Sequence, residues 1–545
     1  MTLRTKVRGG QKAGELHSPG SLSLTLRPPA SPLCFGEVNL PASRSAFGLR
    51  SRCRLRVALL APRSAFGLRS RLGRGVSWGM IRRMETTCDI AIVGGGASGL
   101  AAAIAAARTA SGAGRSVSVA VLEASERVGR SILKTGNGRC NFSNEHVADG
   151  RMLFDYHNAA FFREVLGTLC NQNAVSAGTE VEGLPDARIV GEQGGTRPDP
   201  VLDFFEGLGL EWRQEAEGRR YPLANKASVV LDVLRAEAAR LGVKEACGCP
   251  VRAVEPPREE GALFTLCLED GVFWRAKVVV VACGGEAIGR IELPSGAPGG
   301  NGLEVDVAPL VALPASPVLG PLRCSDESCR LTRELDNIRV RCTVSLFRPQ
   351  DASDSRELVL VRAEPGEMLF RAYGVSGICV FDLSRAAQPG DTLSIDLLEP
   401  LVPRVQARGY LERRRDQLLA LYDSLDCARF LRGLVLPRVA DVLLKYAGLQ
   451  DGDALDDAAL DSLESALTML SLEVVGVGAP DQCQVRRGGL SVASFDPATM
   501  EACALPGLFA CGEALDVDGP CGGYNLHWAW ASGPVAGRSA ARAVR

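Results

Sequence analysis

The stretch D-I-A-I-V-G-G-G-A-S-G, residues Asp89 to Gly99, decides the fold of this chain. Its apolar half, residues 90–93, is β-branched or small, which predicts a strand buried on both faces. Glycines at Gly94, Gly96 and Gly99 follow, and an alanine-rich run predicts a helix after them. A strand, a tight glycine turn and a helix bind the pyrophosphate of a dinucleotide, because the helix N-terminus favours anions. The motif alone is weak, since an ordinary turn has the same pattern.

Two further strand ends support a nucleotide-binding sheet. The predicted strand Val117 to Leu122 ends on Glu123, at about the spacing at which a carboxylate binds the adenosine ribose. The run K-V-V-V-V-A-C-G-G from Lys277 predicts a buried strand with Gly284 at its carboxyl end, the edge where open α/β sheets bind ligands. A last short strand at residues 507–511 indicates that the chain leaves this domain and returns to complete it.

The charge of the chain is unevenly distributed. Residues 1–83 hold sixteen Lys and Arg against two Glu, so the remainder has 46 basic and 61 acidic side chains and a net charge of about −15. The extension contains R-S-A-F-G-L-R-S-R twice, from Arg44 and from Arg63. We interpret it as translated upstream sequence or disorder, with a functional start at Met84 or Met80; a targeting segment and a basic interaction tail are alternatives. The acidic remainder predicts no nucleic-acid partner.

Composition also bounds the chemistry. With 545 residues and 46% hydrophobic content, the chain is expected to form two or three domains. Its eighteen cysteines include no C-x-x-C pair, which indicates the reduced thiols of a cytoplasmic protein. Four histidines leave little from which to build a zinc site or a Ser-His-Asp triad, so no metal is expected. No apolar run approaches the roughly 20 residues that span a membrane.

The rest of the chain changes pattern twice. A helix is predicted at Ala227 to Leu241, with Glu237 on its apolar side. Residues 171–199 are predicted to be a surface excursion or simple disorder, and disorder is the favoured interpretation. Short strands are predicted at 251–254, 263–268 and 273–281. Alternating residues predict an antiparallel, barrel-like domain with strands at 339–346, 358–362, 367–373 and Ile378 to Leu383. Apolar periodicity predicts a small helical insertion with helices at 411–422, 428–444 and 458–470.

Five blocks of sequence carry a resemblance to a known family. They are G-G-G-A-S-G at Gly94, K-T-G-N-G-R-C-N-F-S-N at Lys134, G-E-M-L-F-R-A-Y-G-V-S-G at Gly366, T-M-E-A-C at Thr499, and G-E-A-L-D-V-D-G-P-C-G-G-Y-N-L-H-W-A-W-A-S-G at Gly512. Over residues 89–540 the chain resembles the BaiN-like (YhiN-type) NAD(P)/FAD-dependent oxidoreductases, within the glutathione-reductase-like flavoproteins. The resemblance implies an α/β fold in which a discontinuous, Rossmann-like FAD-binding domain, residues 84–300 and 480–545, encloses a β-barrel-like domain with a small helical insertion, residues 301–479.

The resemblance also implies where FAD binds. Glu123 would bind the adenosine ribose, Glu513 a ribityl hydroxyl, and Arg130 the pyrophosphate. The less favoured alternative for Arg130 is a solvated surface charge. A helix predicted at Asn525 to Ala536 would point its positive end at the flavin and favour the anionic reduced form. The residues expected to contact FAD are Gly94, Gly96, Ala97, Ser98, Gly99, Glu123, Arg130, Gly138, Arg139, Cys140, Asn141, Val251, Gly284, Gly512, Glu513, Gly523, Asn525 and Leu526.

Candidate chemical groups near the flavin have alternatives. Cys140 is either a redox thiol or a buried small residue, and His527 and Tyr524 are either proton donors to substrate or packed helix residues. The barrel block departs from the family pattern L-F-T-H-x-G-x-S-G-P, since this chain has R-A-Y at Arg371 to Tyr373. A role of that loop in substrate contact is therefore doubtful.

The expected activity is hydride transfer between flavin N5 and a small organic substrate. An NAD(P)H-dependent reductase of conjugated C=C bonds is the first hypothesis; an oxygen-using amine oxidase and a non-catalytic flavin-binding redox regulator are alternatives. A second dinucleotide motif is missing, because G-G-E-A-I-G at Gly284 lacks the spacing. Either NAD(P)H docks transiently over the flavin, or the reduced flavin is reoxidised by oxygen or another carrier. The expected partner is a small molecule, with neither nucleic acid nor membrane.

Overall fold

The computed structural model describes residues 86–148, 153, 155–176, 199–259, 261–294, 310–350 and 357–544. The basic extension, with Met80 and Met84, lies outside the described residues, as does most of the excursion at 171–199. Within the described ranges, every helix is too short or too polar to cross a membrane.

The first part of the chain forms alternating strands and helices. Its elements are β1 (Thr86–Val93), α1 (Ala97–Gly112), β2 (Val119–Glu123), α2 (Arg130–Lys134), β3 (Ser143–Asn144), α3 (Glu145–Ala148), α4 (Ala159–Ser176), α5 (Pro200–Glu206), β4 (Trp212–Gln214), β5 (Arg219–Pro222), α6 (Ala227–Arg240), β6 (Lys244–Cys247), β7 (Val251–Glu255), β8 (Phe264–Leu268), β9 (Phe273–Val281) and α7 (Gly285–Ile288). The predicted β1, glycine turn and α1 are all present.

The middle and last parts add a barrel, a helical group and the final helix. The middle elements are β10 (Ala312–Val318), β11 (Leu322–Cys324), α8 (Asp326–Glu334), β12 (Arg339–Pro349), β13 (Leu358–Arg371), β14 (Gly374–Ser376), α9 (Ile378–Ser384), β15 (Thr392–Asp396), α10 (Ala407–Leu419), α11 (Cys427–Leu431), α12 (Pro437–Ala447), α13 (Asp457–Thr468) and β16 (Leu470–Val477). The last elements are β17 (Val485–Leu490), β18 (Leu508–Ala510) and α14 (Tyr524–Ala543).

The main sheet has the strand order β6-β2-β1-β9-β8-β7, and β18 pairs with the second half of β9. The strands from β6 to β9, and β18, are parallel, while β8 and β7 are antiparallel. Val93 pairs with Leu122 on one side and Val281 on the other, and Ala510 also pairs with Val281. The register therefore brings the carboxyl ends of β1, β2, β9 and β18 to one edge.

Helices α1 and α14 hold the first and last segments in one core. A Cβ atom at Gly533 would lie 2.6 Å from the Ser98 carbonyl oxygen, and one at Gly537 would lie 2.1 Å from that of Ala102. Only glycine allows backbones to approach this closely. The chain therefore returns to its first domain through a glycine-lined contact, as the predicted discontinuous domain requires.

Strands β11-β14-β13-β12-β15-β16 form a closed barrel with its own buried core, and helices α10 to α13 lie between β15 and β16 in the chain. β10 and β17 form a separate two-stranded ribbon. The barrel and its helical insertion confirm the predicted fold class. The domain boundaries at residues 300/301 and 479/480 stay a prediction.

Three sequence predictions in the barrel are corrected by the structure. The predicted strand Ile378 to Leu383 is helix α9, in which Cys379, Val380 and Leu383 are buried at helical spacing; a short apolar run does not separate helix from strand. The predicted helix at 428–444 is two helices, because Pro437 starts α12. The two strands predicted at 358–362 and 367–373 are the single strand β13. Strands β11, β14, β15 and β16 of the barrel were not predicted.

Candidate active site

The glycine turn after β1 is a tight backbone cradle. Gly94 has φ +105°, and a Cβ atom there would lie 2.6 Å from the Ala282 carbonyl oxygen. A Cβ at Gly99 would lie 2.0 Å from the Gly94 carbonyl oxygen. Gly96 caps α1 without a side chain, and the first turn has no acidic residue. The N–H groups at this helix start therefore face outward with a positive field, which fits a pyrophosphate.

Glu123 lies at the end of β2 beside this turn. Its Oε2 accepts a 2.8 Å hydrogen bond from the Gly95 N–H, and its Oε1 accepts one of 2.8 Å from the Ser125 N–H. Its carbonyl oxygen accepts from the Cys249 N–H at 2.9 Å, which brings the start of β7 and Val251 to the same corner. Arg130, at the start of α2, is exposed. The corner is oriented as a ribose-binding carboxylate requires.

Gly512 and Glu513 extend the cradle from the end of β18. Gly512 has φ +66°, and a Cβ atom there would lie 2.3 Å from the Ser98 Oγ. Its N–H donates to the Ser532 Oγ of α14 at 2.9 Å. Glu513 Oε1 accepts from the Arg486 N–H at 2.7 Å, and burial raises the pKa of this carboxyl to about 7. It also lies beside the Gly284 turn, since a Cβ atom at the following Gly285 would be 3.2 Å from Oε1.

The start of α14 packs on the loop that precedes β3. Gly523 has φ +102°, and a Cβ atom there would lie 2.6 Å from the Ser143 carbonyl oxygen and 2.9 Å from Asn141 Oδ1. Asn141 Oδ1 is buried and has no hydrogen-bond partner among the described residues. Such an acceptor fits a ligand that brings its own N–H donor, as a flavin ring does. The backbone cradle, the two carboxylates and this orphaned acceptor together fit FAD.

Some residues predicted to contact FAD are engaged elsewhere. Arg139 stacks on the Tyr221 ring at 4.0 Å and pairs with Glu215, so its guanidinium points toward β4 and β5. The Asn525 amide donates to the Gly519 carbonyl oxygen at 2.9 Å and accepts from the Gly519 N–H at 2.8 Å. Asn525 therefore fixes the turn that leads into α14. FAD contacts of Gly138 (φ +81°) and the half-buried Leu526 stay predictions.

The three candidate chemical groups are packed in the core. Burial raises the pKa of Cys140 to about 12, so it is a thiol near neutral pH. His527 is 1% exposed, its Nδ1 lies 3.0 Å from Ser143 Oγ, and burial lowers its pKa. Tyr524 is buried, and its carbonyl oxygen accepts from the Tyr156 O–H at 2.8 Å. This geometry favours the packing alternatives, and a role in proton transfer stays a prediction.

Sequence analysis missed the charged contact between the barrel and the main sheet. Asp518, fully buried, pairs with Arg385 at 2.8 Å and with Arg487 at 2.7 Å. Asp155 pairs with Arg362 of β13 at 2.7 Å. The D-V-D-G of the fifth block was the available signal, because two acids beside a glycine-rich turn need cationic partners when they are buried.

Family models and related proteins agree with this geometry. The model of the HI0933-like protein Rossmann domain matches residues 197–539, and that of an NAD(P)-binding Rossmann-like domain matches residues 92–165. The chain belongs to the HI0933-like family. The resemblance to BaiN-like (YhiN-type) enzymes is thereby confirmed.

Two relatives of this HI0933-like protein have named activities. It is 31% identical over 462 residues to the 3-dehydro-bile acid delta(4,6)-reductase of Clostridium scindens, which covers 83% of this chain and 98% of the relative. It is 26% identical over 452 residues to the ribosomal RNA dihydrouridine synthase of Escherichia coli. That match covers 82% of this chain and 96% of the relative. A 3-ketosteroid-delta4-(5alpha)-dehydrogenase structure from Rhodococcus jostii matches with a TM-score of 0.37 at 16% identity, over 85% of this chain and 99% of the other. Structural similarity at that level supports no conclusion about function.

The HI0933-like protein is an FAD-dependent oxidoreductase. FAD is its cofactor, and the NAD(P)-binding Rossmann match supports NAD(P)H as candidate electron donor. The oxidase and regulator alternatives are not favoured by these relatives. The expected absence of a nucleic-acid partner is not supported either, since relatives include ribosomal RNA dihydrouridine synthases.

Proposed function

We propose that this protein reduces a carbon–carbon double bond conjugated to a carbonyl group in a small organic molecule, with NAD(P)H as the reductant. The observation that carries the proposal is the 31% identity to a 3-dehydro-bile acid delta(4,6)-reductase along 98% of that relative. A dihydrouridine synthase forms a product in which a double bond conjugated to a carbonyl is saturated, so both named relatives point to one chemistry.

The proposed cofactor contacts follow from the cradle. The turn at 94–99 would bind the FAD pyrophosphate, Glu123 the adenosine ribose and Glu513 a ribityl hydroxyl. Asn141 and the positive end of α14 would meet the flavin ring, where the helix field favours negative charge on the reduced form. When bound, FAD supplies the hydride; the surrounding residues orient it and exclude water.

The charge of the chain favours a small substrate over RNA. Outside residues 1–83 the net charge is about −15, which repels a polyphosphate backbone. A uridine in ribosomal RNA is the second candidate, and the observation that favours it is the identity to two ribosomal RNA dihydrouridine synthases. Both candidates use the same hydride chemistry, so substrate trials decide between them.

Product analysis separates these candidates. We expect anaerobic incubation of the FAD-loaded protein and NAD(P)H with 3-oxo-4,6-choladienoic acid to give a product two mass units heavier. Ribosomal RNA under the same conditions should gain no dihydrouridine by nuclease digestion and mass spectrometry. Dihydrouridine formation without reduction of the enone would replace the proposal with the second candidate. Reduction of neither would reject both.

The location and domain limits are also proposals. We assign residues 84–300 and 480–545 to the FAD-binding domain and residues 301–479 to the inserted domain. We also propose a cytoplasmic location, supported by fifteen described cysteines, Cys170 not counted, that are free thiols. To test the location, protein purified from its natural source is denatured and its thiols are titrated with and without prior reduction. Extra thiols after reduction would show disulfides and indicate an oxidising compartment.

A further inference from the structure

Two side chains of α14 hold the backbone of Gly512, the glycine that begins the turn after β18. The Trp528 Nε1–H donates to the Gly512 carbonyl oxygen at 2.9 Å, and the Gly512 N–H donates to the Ser532 Oγ at 2.9 Å. The Ser532 hydroxyl in turn donates to the Trp528 carbonyl oxygen at 2.8 Å. Trp528 is 1% exposed and Ser532 is fully buried, so water does not compete for these bonds. We call these two side chains the Gly512 clamp.

The Gly512 clamp fixes both backbone rotations of this glycine. Ser532 holds the peptide plane before Gly512 and Trp528 holds the plane after it, whereas an unrestrained glycine turns easily about both bonds. The conformation held in this way has φ +66°. The Gly512 carbonyl oxygen also accepts from the Leu515 N–H at 3.1 Å, but that bond stays within the turn. The clamp therefore ties the turn to α14.

Glu513 takes its direction from the same backbone. The peptide plane held by Trp528 contains the Glu513 nitrogen, so its orientation sets where the Glu513 side chain starts. The Glu513 Oε1 accepts from the Arg486 N–H at 2.7 Å, and no described residue donates to Oε2. Oε2 is thus the oxygen that remains for a ribityl hydroxyl, and a turn of the Gly512 backbone would move it.

We propose that Trp528 and Ser532 are positioning residues for FAD, which hold Gly512 so that the Glu513 carboxylate faces a ribityl hydroxyl. The inference rests on the contact of Glu513 with FAD proposed above. Helix α14 then acts on one cofactor at two points, because its start meets the flavin ring and its next two turns orient the carboxylate. A clamp that works through Glu513 matters for FAD only while Glu513 can bind the hydroxyl.

The test measures FAD release from Trp528→Phe and from the matched control Trp530→Phe. Phenylalanine keeps an aromatic ring and removes the indole N–H. Trp530 lies in the same helix and is also buried, but its Nε1 has no hydrogen-bond partner among the described residues. Each purified holoprotein is checked for folding by circular dichroism and then diluted. The rise of flavin fluorescence gives the rate of FAD release.

We expect W528F to release FAD at least about fivefold faster than W530F, as for the loss of one buried hydrogen bond. Glu513→Gln should also accelerate release. In the E513Q background, W528F should add less than about twofold, because residues that act through one contact are not additive. A tryptophan that only packs in the core would accelerate release by the same factor in both backgrounds.

The outcomes separate the clamp from the contact that it serves. Equal release from W528F and W530F, or additive effects of W528F and E513Q, would overturn the positioning role. Wild-type release from E513Q would overturn the ribityl contact itself, and with it any positioning through Glu513.

A second variant keeps the test decisive if W528F does not fold. Ser532→Ala removes the other half of the Gly512 clamp, and Ser539→Ala is its control in the same buried helix. S532A should release FAD faster than S539A when Glu513 is present, and at the same rate in the E513Q background. Equal release from S532A and S539A in both backgrounds would overturn the proposal.

Discussion

The two walls of the candidate site are built in different ways. The cofactor wall is made of backbone: at Gly94, Gly99 and Gly512 a Cβ atom would lie between 2.0 and 2.6 Å from a neighbouring atom. The barrel wall is made of buried side-chain charges, with Asp518 held between two arginines and Asp382 beside them. From this difference we expect an added methyl group to disrupt the cofactor wall, and removal of a charge, by substitution or by a change of pH, to destabilise the barrel wall.

The largest expected effect is on the cofactor wall. Gly99→Ala puts a methyl group where a Cβ atom lies 2.0 Å from the Gly94 carbonyl oxygen, so the turn must open. We expect the purified variant to retain less than about a tenth of the wild-type FAD, measured by absorbance at 450 nm. Gly112→Ala is the control, because no atom lies within 4 Å of its added Cβ. Full FAD content in G99A would mean that FAD binding does not depend on the close backbone contact at Gly99.

The next effect concerns pH at the barrel wall. The folded pKa of Asp382, about 7, is raised above the usual 3.8, so its contribution to stability is fully present below about pH 3.8 and is lost as pH rises through about 7. Asp382→Asn should therefore be more stable than wild type at pH 8, by at most about 4 kcal/mol at 1.36 kcal/mol per pKa unit. Urea unfolding at pH 5 and pH 8 measures this. An equal stability difference at both pH values would contradict it.

Removal of a barrel-wall cation should cost slightly less. Arg385→Ala leaves the fully buried Asp518 with one arginine, and loss of a partner from a buried ion pair costs about 3 kcal/mol. Urea unfolding at constant pH checks this. The exposed pair of Arg290 with Glu286 supplies the control, since Arg290→Ala should change stability by less than about 1 kcal/mol. If Arg385→Ala and Arg290→Ala lowered stability equally, buried ion pairs would not be what stabilises the barrel wall.

The smallest effect should come from an ion pair between α6 and α1, the helix whose first turn belongs to the cofactor wall. Glu237 of α6 pairs with Arg240 of the same helix and with Arg108 of α1, the latter at 2.8 Å. Hydrogen bonds from Arg240 and Arg108 lower the pKa of Glu237 to about 2. Its contribution is present above about pH 4.5 and is lost as pH falls through about 2. Glu237→Gln should cost about 1 kcal/mol at pH 7 without loss of FAD. A loss of FAD in this variant would show that charges also maintain the cofactor wall.

The same difference explains which parts the sequence predicted. The turn at 94–99, Glu123 and the start of α14 lie in short stretches of sequence. The glycines there are required by local turn geometry, so neighbouring residues are enough to predict these parts. Asp382 accepts a hydrogen bond from the Cys521 N–H, and Asp518 pairs with Arg385. These partners lie far along the chain, and no local pattern reveals them. Ile378 to Leu383 was assigned to a strand for the same reason, since its apolar residues suit either structure until the barrel packs against them.

Anaerobic stopped-flow spectroscopy tests the central claim most directly. The purified FAD-loaded protein is mixed with NADH or NADPH and then with 3-oxo-4,6-choladienoic acid. We predict that the flavin absorbance bleaches with at least one nicotinamide and returns when the dienone is added, at a rate that increases with dienone concentration. A flavin that stays oxidised with both nicotinamides, or a protein that cannot be loaded with FAD, would contradict the account.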